Sequence, residues 1–160
     1  MDPAILLDCE PGDLFMVRNV ANLVPPYEKG NGLHGVGTAL EYAVCALKVR
    51  HIIVLGHRQC CGIRALVQGA EGEFLPGWVN IAARAKARVL AGMPGADAHD
   101  QLCACEEEAI KVSMENLLTF PWIRERVNGG ELTLHGWYFN IENGELGIFD
   151  ASSNRFEPVK

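Results

Sequence analysis

The run "HIIVLGH", residues 51–57, constrains this chain more than any other stretch. Ile52, Ile53, Val54 and Leu55 follow one another without a polar break, and three of them are β-branched. That is neither the alternation of a half-exposed strand nor the 3.6-residue rhythm of an amphipathic helix. It is the pattern of a parallel strand buried on both faces, and so predicts an α/β architecture. The run stops at Gly56 and passes through "HRQC" into "CGIRALVQG", which reads as a helix ending near Gly69. A turn between strand and helix lies at the carboxyl edge of the sheet, where open α/β proteins gather their ligands.

The rest of the chain supplies partners for that strand. Residues 13–20, "DLFMVRNV", read as a strand after the turn residues Pro11 and Gly12. A Gly- and Pro-rich loop follows, and then "TALEYAVCALK" places Leu40, Ala43, Val44 and Leu47 on one helical face. Helices are expected over residues 78–91 and 101–119, the second through Ile110, Met114, Leu117 and Leu118. Pro121 opens a short helix, "PWIRERV", that Gly129 and Gly130 close. "ELTLHGWYFNI" and "ELGIFDA" then meet across Glu142, Asn143 and Gly144, and Asn-Gly predicts a two-residue type I′ hairpin. The expected fold is a single α/β domain over residues 1–160. Its sheet is mainly parallel, flanked by helices, with an antiparallel C-terminal edge strand.

Composition narrows the function. A formal charge of −6 argues against nucleic acid and anionic membrane as partners, because both reward a basic surface. No apolar stretch approaches the roughly 20 residues of a bilayer span. The start, "MDPAILLDCEPGD", has acidic residues and no basic n-region, so it does not read as a secretory signal. Six cysteines in such a chain read as reduced thiols, and the cytoplasm is the expected compartment.

His57 and Cys60 stand three apart at the end of the buried run. The following helix amino terminus favours a thiolate there, and a thiolate with a neutral imidazole makes two good zinc donors. From the residues alone, a buried thiol beside a hydrogen-bonded histidine is an equal reading. Cys61, next in sequence, points elsewhere. Cys9 and Cys45 read as packing residues, and His99, Cys103 and Cys105 open a helix whose glutamates suggest a solvated face.

The surroundings of the pair resemble the β-class carbonic anhydrases. The likeness runs from "PGDLFMVRNVANLVPP" through "HGVGTALEYAVCALKVRHIIVLGHRQCCGIRAL" to "SMENLLTFPWIRERVNGGELTLHGWYFNIENGEL". It implies zinc-dependent, reversible hydration of carbon dioxide to bicarbonate in a homodimer or larger homo-oligomer. It implies His57 and Cys60 as metal ligands, and a substrate pocket walled by Phe15, Val20 and Ala21 with Cys61 and Gly62 beside it. Cys61 takes the place of the first of two family glycines. Arg18 and Asn19 are expected in structural bonds, His51 and His135 likewise, and His34 as an exposed loop residue or a proton relay.

The family's other zinc cysteine, its aspartate and its arginine form a C-x-D-x-R motif, and Met1 falls just after the position of that arginine. No catalytic residue is therefore carried over. The resemblance also implies a strand between "DLFMVRN" and "HIIVLGH" that these residues do not supply. The expectation is an N-terminally truncated domain: a late start, a fragment or a shortened paralogue. A non-catalytic subunit and a zinc hydrolase of another small linear substrate remain the alternatives.

Overall fold

The computed structural model describes residues 2–30, 32 and 34–159. Met1 lies outside them, and with it the position assigned to that residue above. Helix α1 (Pro3–Leu6) and helix α2 (Gly35–Glu41) precede strand β1 (His51–His57). Helices α3 (Cys61–Gln68), α4 (Leu75–Val79), α5 (Ala83–Gly92), α6 (Ala98–Leu117) and α7 (Pro121–Asn128) carry the chain across to β2 (Thr133–Phe139). Strands β3 (Leu146–Asp150) and β4 (Arg155–Pro158) complete a sheet of order β1-β2-β3-β4.

The α/β class and the flanking helices are as expected, and the sheet is mixed. β1 and β2 pair in parallel, from His51 opposite Thr133 to His57 opposite Phe139, while β2–β3 and β3–β4 are antiparallel. Parallel pairing is thus confined to one ladder, and the antiparallel part is two strands wide. β4 went unpredicted because "RFEP" is short and carries no periodicity.

Helix α6 organises the core. Ile110, fully buried, presses on the sheet where Gly56 and Gly136 lack side chains. A Cβ on Gly56 would stand 2.7 Å from Ile110 Cδ1, and one on Gly136 would stand 2.7 Å from Met114 Sδ. The two glycines therefore let helix and strands approach. Around them Val54, Leu117, Phe120, Ile123 and Leu132 form one apolar cluster, and Leu23, Ile63, Ala82, Ala85 and Cys105 a second under α3 and α5.

Several sequence expectations are corrected. Residues 13–20 form no strand: 14–19 pair with no strand of the sheet, and a 3-10 turn begins at Val20. β1 is buried on one face only, because α6 covers Val54 and Gly56 while Ile53 and Leu55 stay partly exposed. The helix expected over 78–91 is broken by a 3-10 turn, Asn80–Ala82. After α2 the chain widens into a π turn, Tyr42–Ala46, closed by the Leu47 N–H on the Tyr42 carbonyl at 3.0 Å. That register shift leaves Leu47 and Cys45 exposed. Among the hairpin residues Gly144 has positive φ and Asn143 does not, so the β2–β3 connection is a longer loop and not a type I′ turn.

Candidate metal centre

The turn after β1 is built to bring an imidazole and a thiol together. The Arg58 N–H bonds the Phe139 carbonyl at 2.9 Å, prolonging the β1–β2 ladder by one residue. Gln59 then takes a left-handed conformation, φ 60°, which reverses the chain. Cys60 becomes the cap of α3, its carbonyl accepting the Arg64 N–H at 2.9 Å. His57 donates from Nδ1 to the Arg58 carbonyl at 2.8 Å, which fixes the tautomer and leaves Nε2 free for a second partner.

Cys60 lies three residues on, at the cap of α3, and interacts with the His57 ring. The hydrogen bond between them raises the His57 pKa above its ordinary value, against the effect of burial. Burial opposes ionisation of the Cys60 thiol, but His57 and the amides of Ile63 and Gly62 outweigh it and pull its pKa down. Cys60 is 5% exposed. The pair sets a half-buried imidazole beside a buried thiol whose ionisation it favours.

A residue not foreseen in the sequence holds it from below. Glu106 of α6 is 3% exposed and accepts the Cys60 backbone N–H at 2.8 Å and the Tyr138 hydroxyl at 2.7 Å. Burial pushes its carboxyl pKa up, and the bonds from Tyr138 and Cys60 oppose that shift. The Tyr138 hydroxyl is pushed far above the tyrosine range by burial and by this carboxylate. The expected solvated face is therefore wrong for Glu106 and for Cys105, which is 2% exposed. The signal was in the spacing: Glu106 sits four residues before Ile110 and seven before Ser113, on the buried stripe of α6. Above the turn, Arg58 pairs with Glu142 at 3.2 Å and meets His99 Nε2 at 3.1 Å. The cluster of His99 and Cys103 thus borders the turn after all.

The expected pocket residues divide into two groups. Val20, Ala21 and Gly62 meet: a Cβ on Gly62 would stand 2.8 Å from both Val20 Cγ1 and Ala21 Cβ. Ala21 and Asn22 hold left-handed backbones, φ 64° and 49°. The Asn19 side chain bonds Leu23 N–H and carbonyl at 3.0 and 2.9 Å, and Ser113 bonds Val24 N–H and the Asn22 carbonyl. These restraints hold a conformation that costs an alanine roughly 1–2 kcal/mol. Cys61 is exposed, consistent with its side chain pointing away. Phe15, 46% exposed, lines a cleft of about 720 Å³ that also reaches Ala21 and His57.

This cleft lies between residues 13–19 and the outer edge of β1. The Thr133 N–H bonds the Arg50 carbonyl and the Arg58 N–H bonds the Phe139 carbonyl, both at 2.9 Å. Even-numbered positions of β1 therefore turn their peptide groups to β2, and the odd-numbered Ile53 and Leu55 turn theirs to the cleft. Asn22 Nδ2 and Trp137 Nε1, buried donors of cleft-lining residues, have no hydrogen-bond partner among the described residues. His51 Nδ1 and His135 Nε2 face one another at 3.1 Å, which accounts for both structurally.

The donor set fits a soft or borderline divalent metal in part. His57 and Cys60 offer nitrogen and sulfur from adjacent, preorganised positions. Among the described residues no group of three or more His, Cys, Asp or Glu converges on a common metal position, so this is half of a tetrahedral shell.

With that geometry in view, the comparisons with known proteins are decisive. The family model for carbonic anhydrase matches residues 1–146. The chain belongs to the β-carbonic anhydrase family. It is 40% identical over 158 residues to beta carbonic anhydrase 6, mitochondrial, of Arabidopsis thaliana, covering 96% of this chain and 54% of that protein. Beta carbonic anhydrase 3 of the same plant is 36% identical over 156 residues, covering 94% and 60%. The chain thus spans between half and two thirds of these relatives' length. Among solved structures, the β-carbonic anhydrase CcaA superposes with a TM-score of 0.93 at 33% identity, over 99% of this chain and 78% of that one. A tetrameric β-carbonic anhydrase of Sordaria macrospora does so at 0.82 and 28%, over 94% and 75%.

Proposed function

We propose that this domain serves the reversible hydration of carbon dioxide to bicarbonate, with His57 and Cys60 as two of the donors to a zinc ion. The observation that carries the reading is the His57–Cys60 couple, held at the carboxyl end of β1 beside the cleft. Zinc, when bound, would acidify water toward neutrality, as it is known to do in a carbonic anhydrase. The chain's own residues prepare the place. His57 presents Nε2 because Nδ1 is committed to Arg58. Metal binding there would need Cys60 as the thiolate, and the lowered pKa of its thiol favours that form. Phe15 and Ala21 give the cleft apolar walls suited to a small linear substrate, and Asn22 Nδ2 offers a donor to a product oxygen.

The remaining donors come from outside the described residues in this reading. The cleft supports it, since it lies where the resemblance puts a further strand, between residues 13–19 and β1. Activity in this reading depends on those further donors as well as on His57 and Cys60. A homo-oligomer in the cytoplasm completes the proposal; the name of the 40% identical relative makes a mitochondrion the competing location.

Elemental analysis of the purified 160-residue chain, with and without Cys60→Ser, tests the metal reading. Zinc up to one per chain that Cys60→Ser removes supports it, and stopped-flow hydration assays then measure what activity survives. No Cys60-dependent zinc at excess metal overturns it and favours a non-catalytic subunit.

A further inference from the structure

Glu106 is the buried ionisable group that the proposed chemistry leaves unused, and its two contacts define a task. One carboxylate oxygen accepts the Cys60 backbone N–H at 2.8 Å, and the other accepts the Tyr138 hydroxyl at 2.7 Å. Three elements meet there: α6 brings the carboxylate, β2 brings Tyr138, and the turn into α3 brings Cys60. A carboxylate 3% exposed is costly to bury unless its hydrogen bonds are worth more than ordinary ones.

The Cys60 peptide needs such an anchor. It follows a left-handed Gln59 and precedes the first turn of α3, so neither a strand ladder nor a helix claims its N–H. Without a partner the Gln59–Cys60 peptide could rotate, and the Cβ–Sγ bond would swing with it. We infer that Glu106 is a positioning residue for Cys60, fixing the direction of its sulfur through the backbone N–H while Tyr138 fixes Glu106. The inference rests on the reading of Cys60 as a metal ligand. It adds a third layer to that site: metal donor, peptide anchor, and the hydroxyl that orients the anchor.

Cadmium(II), a thiolate-seeking ion, is the probe, read by its thiolate charge-transfer absorption on the 160-residue chain. Cys60→Ser defines the part of the signal that belongs to Cys60. Glu106→Leu removes both acceptors and is expected to weaken that Cys60-dependent binding about 10- to 100-fold. Glu106→Gln keeps one oxygen able to accept the Cys60 N–H and is expected to restore most of the affinity. Tyr138→Phe removes only the outer bond and is expected to lose several-fold. The Cys60 amide proton gives a metal-free readout, moving upfield in Glu106→Leu and much less in Glu106→Gln.

Affinity within twofold of the parent in Glu106→Leu, or equal losses in the Leu and Gln variants, overturns the inference. Should Glu106→Leu fail to fold, Tyr138→Phe decides: unchanged affinity refutes it. A parent chain with no Cys60-dependent cadmium signal removes the metal-ligand reading itself, and the inference with it. A parent signal that Glu106 variants leave intact removes the inference alone.

Discussion

Gly56→Ala, made with and without Ile110→Ala, measures how closely α6 is pressed onto the sheet. The new methyl carbon would lie 2.7 Å from Ile110 Cδ1, 2.9 Å from its Cγ1 and 3.2 Å from Asn22 Oδ1. Carbon pairs prefer about 3.5–4.0 Å, so the overlap is roughly 1 Å. Ile110 is fully buried in the apolar cluster with Val54, Leu117, Phe120 and Ile123, so its retreat must displace packed neighbours. Overpacking of this kind costs about 1–3 kcal/mol, and full burial of Ile110 argues for the upper half. Ile110→Ala alone, at a position with 0% exposure, leaves a cavity and costs about 2–5 kcal/mol. In the double variant both colliding atoms are gone and the methyl occupies vacated space. Its loss should fall short of the sum of the single losses by about 1–3 kcal/mol. Urea unfolding followed by tryptophan fluorescence measures all four proteins. Additivity within about 0.5 kcal/mol would refute the contact between α6 and β1 as described.

The remaining predictions concern the open edge and the charged surface. Amide exchange should protect Val54 strongly and leave Ile53 and Leu55 fast, since only the first bonds β2; equal protection of all three would show the cleft edge to be paired in solution. Arg88 of α5 grips Glu115 of α6 at 2.8 and 3.0 Å and Glu108 at 2.9 Å, and the Arg88 bond lowers the Glu115 pKa. A lowered carboxylate pKa stabilises the fold above the ordinary carboxylate range and stops doing so as pH falls through the folded value. Arg88→Met should therefore lose at most about 1 kcal/mol at pH near 7, given how exposed the pair is, and nothing at strongly acid pH or in high salt. A loss independent of pH would assign the effect to packing of the arginine stem.

Much of the local structure was legible in the residues. Pro121 and Gly129 bracket α7, Gly69 closes α3 with φ 103°, and the β-branched run 52–54 lies inside β1. Each depends on one residue's own backbone preference or on a repeat over a few neighbours, and such signals survive in any tertiary context. His57 and Cys60 were legible for the same reason, because a three-residue turn cannot separate them. Residues 13–20 show the opposite case. Their apolar composition suits a strand, but a strand exists only by pairing, and none of the sheet's strands lies beside them.

Glu106 is the sharper lesson. Among three consecutive glutamates, only helix phase singles it out, and phase says that a side chain is buried without saying against what. Its partners lie 46 and 32 residues away, at the cap of α3 and on β2. The sequence by itself determined that His57 and Cys60 stand together in one turn, and most of the elements that carry them. Tertiary structure alone decided what braces that pair, which edge of β1 stays open, and where the cleft runs, because each depends on contacts between segments that no local preference encodes.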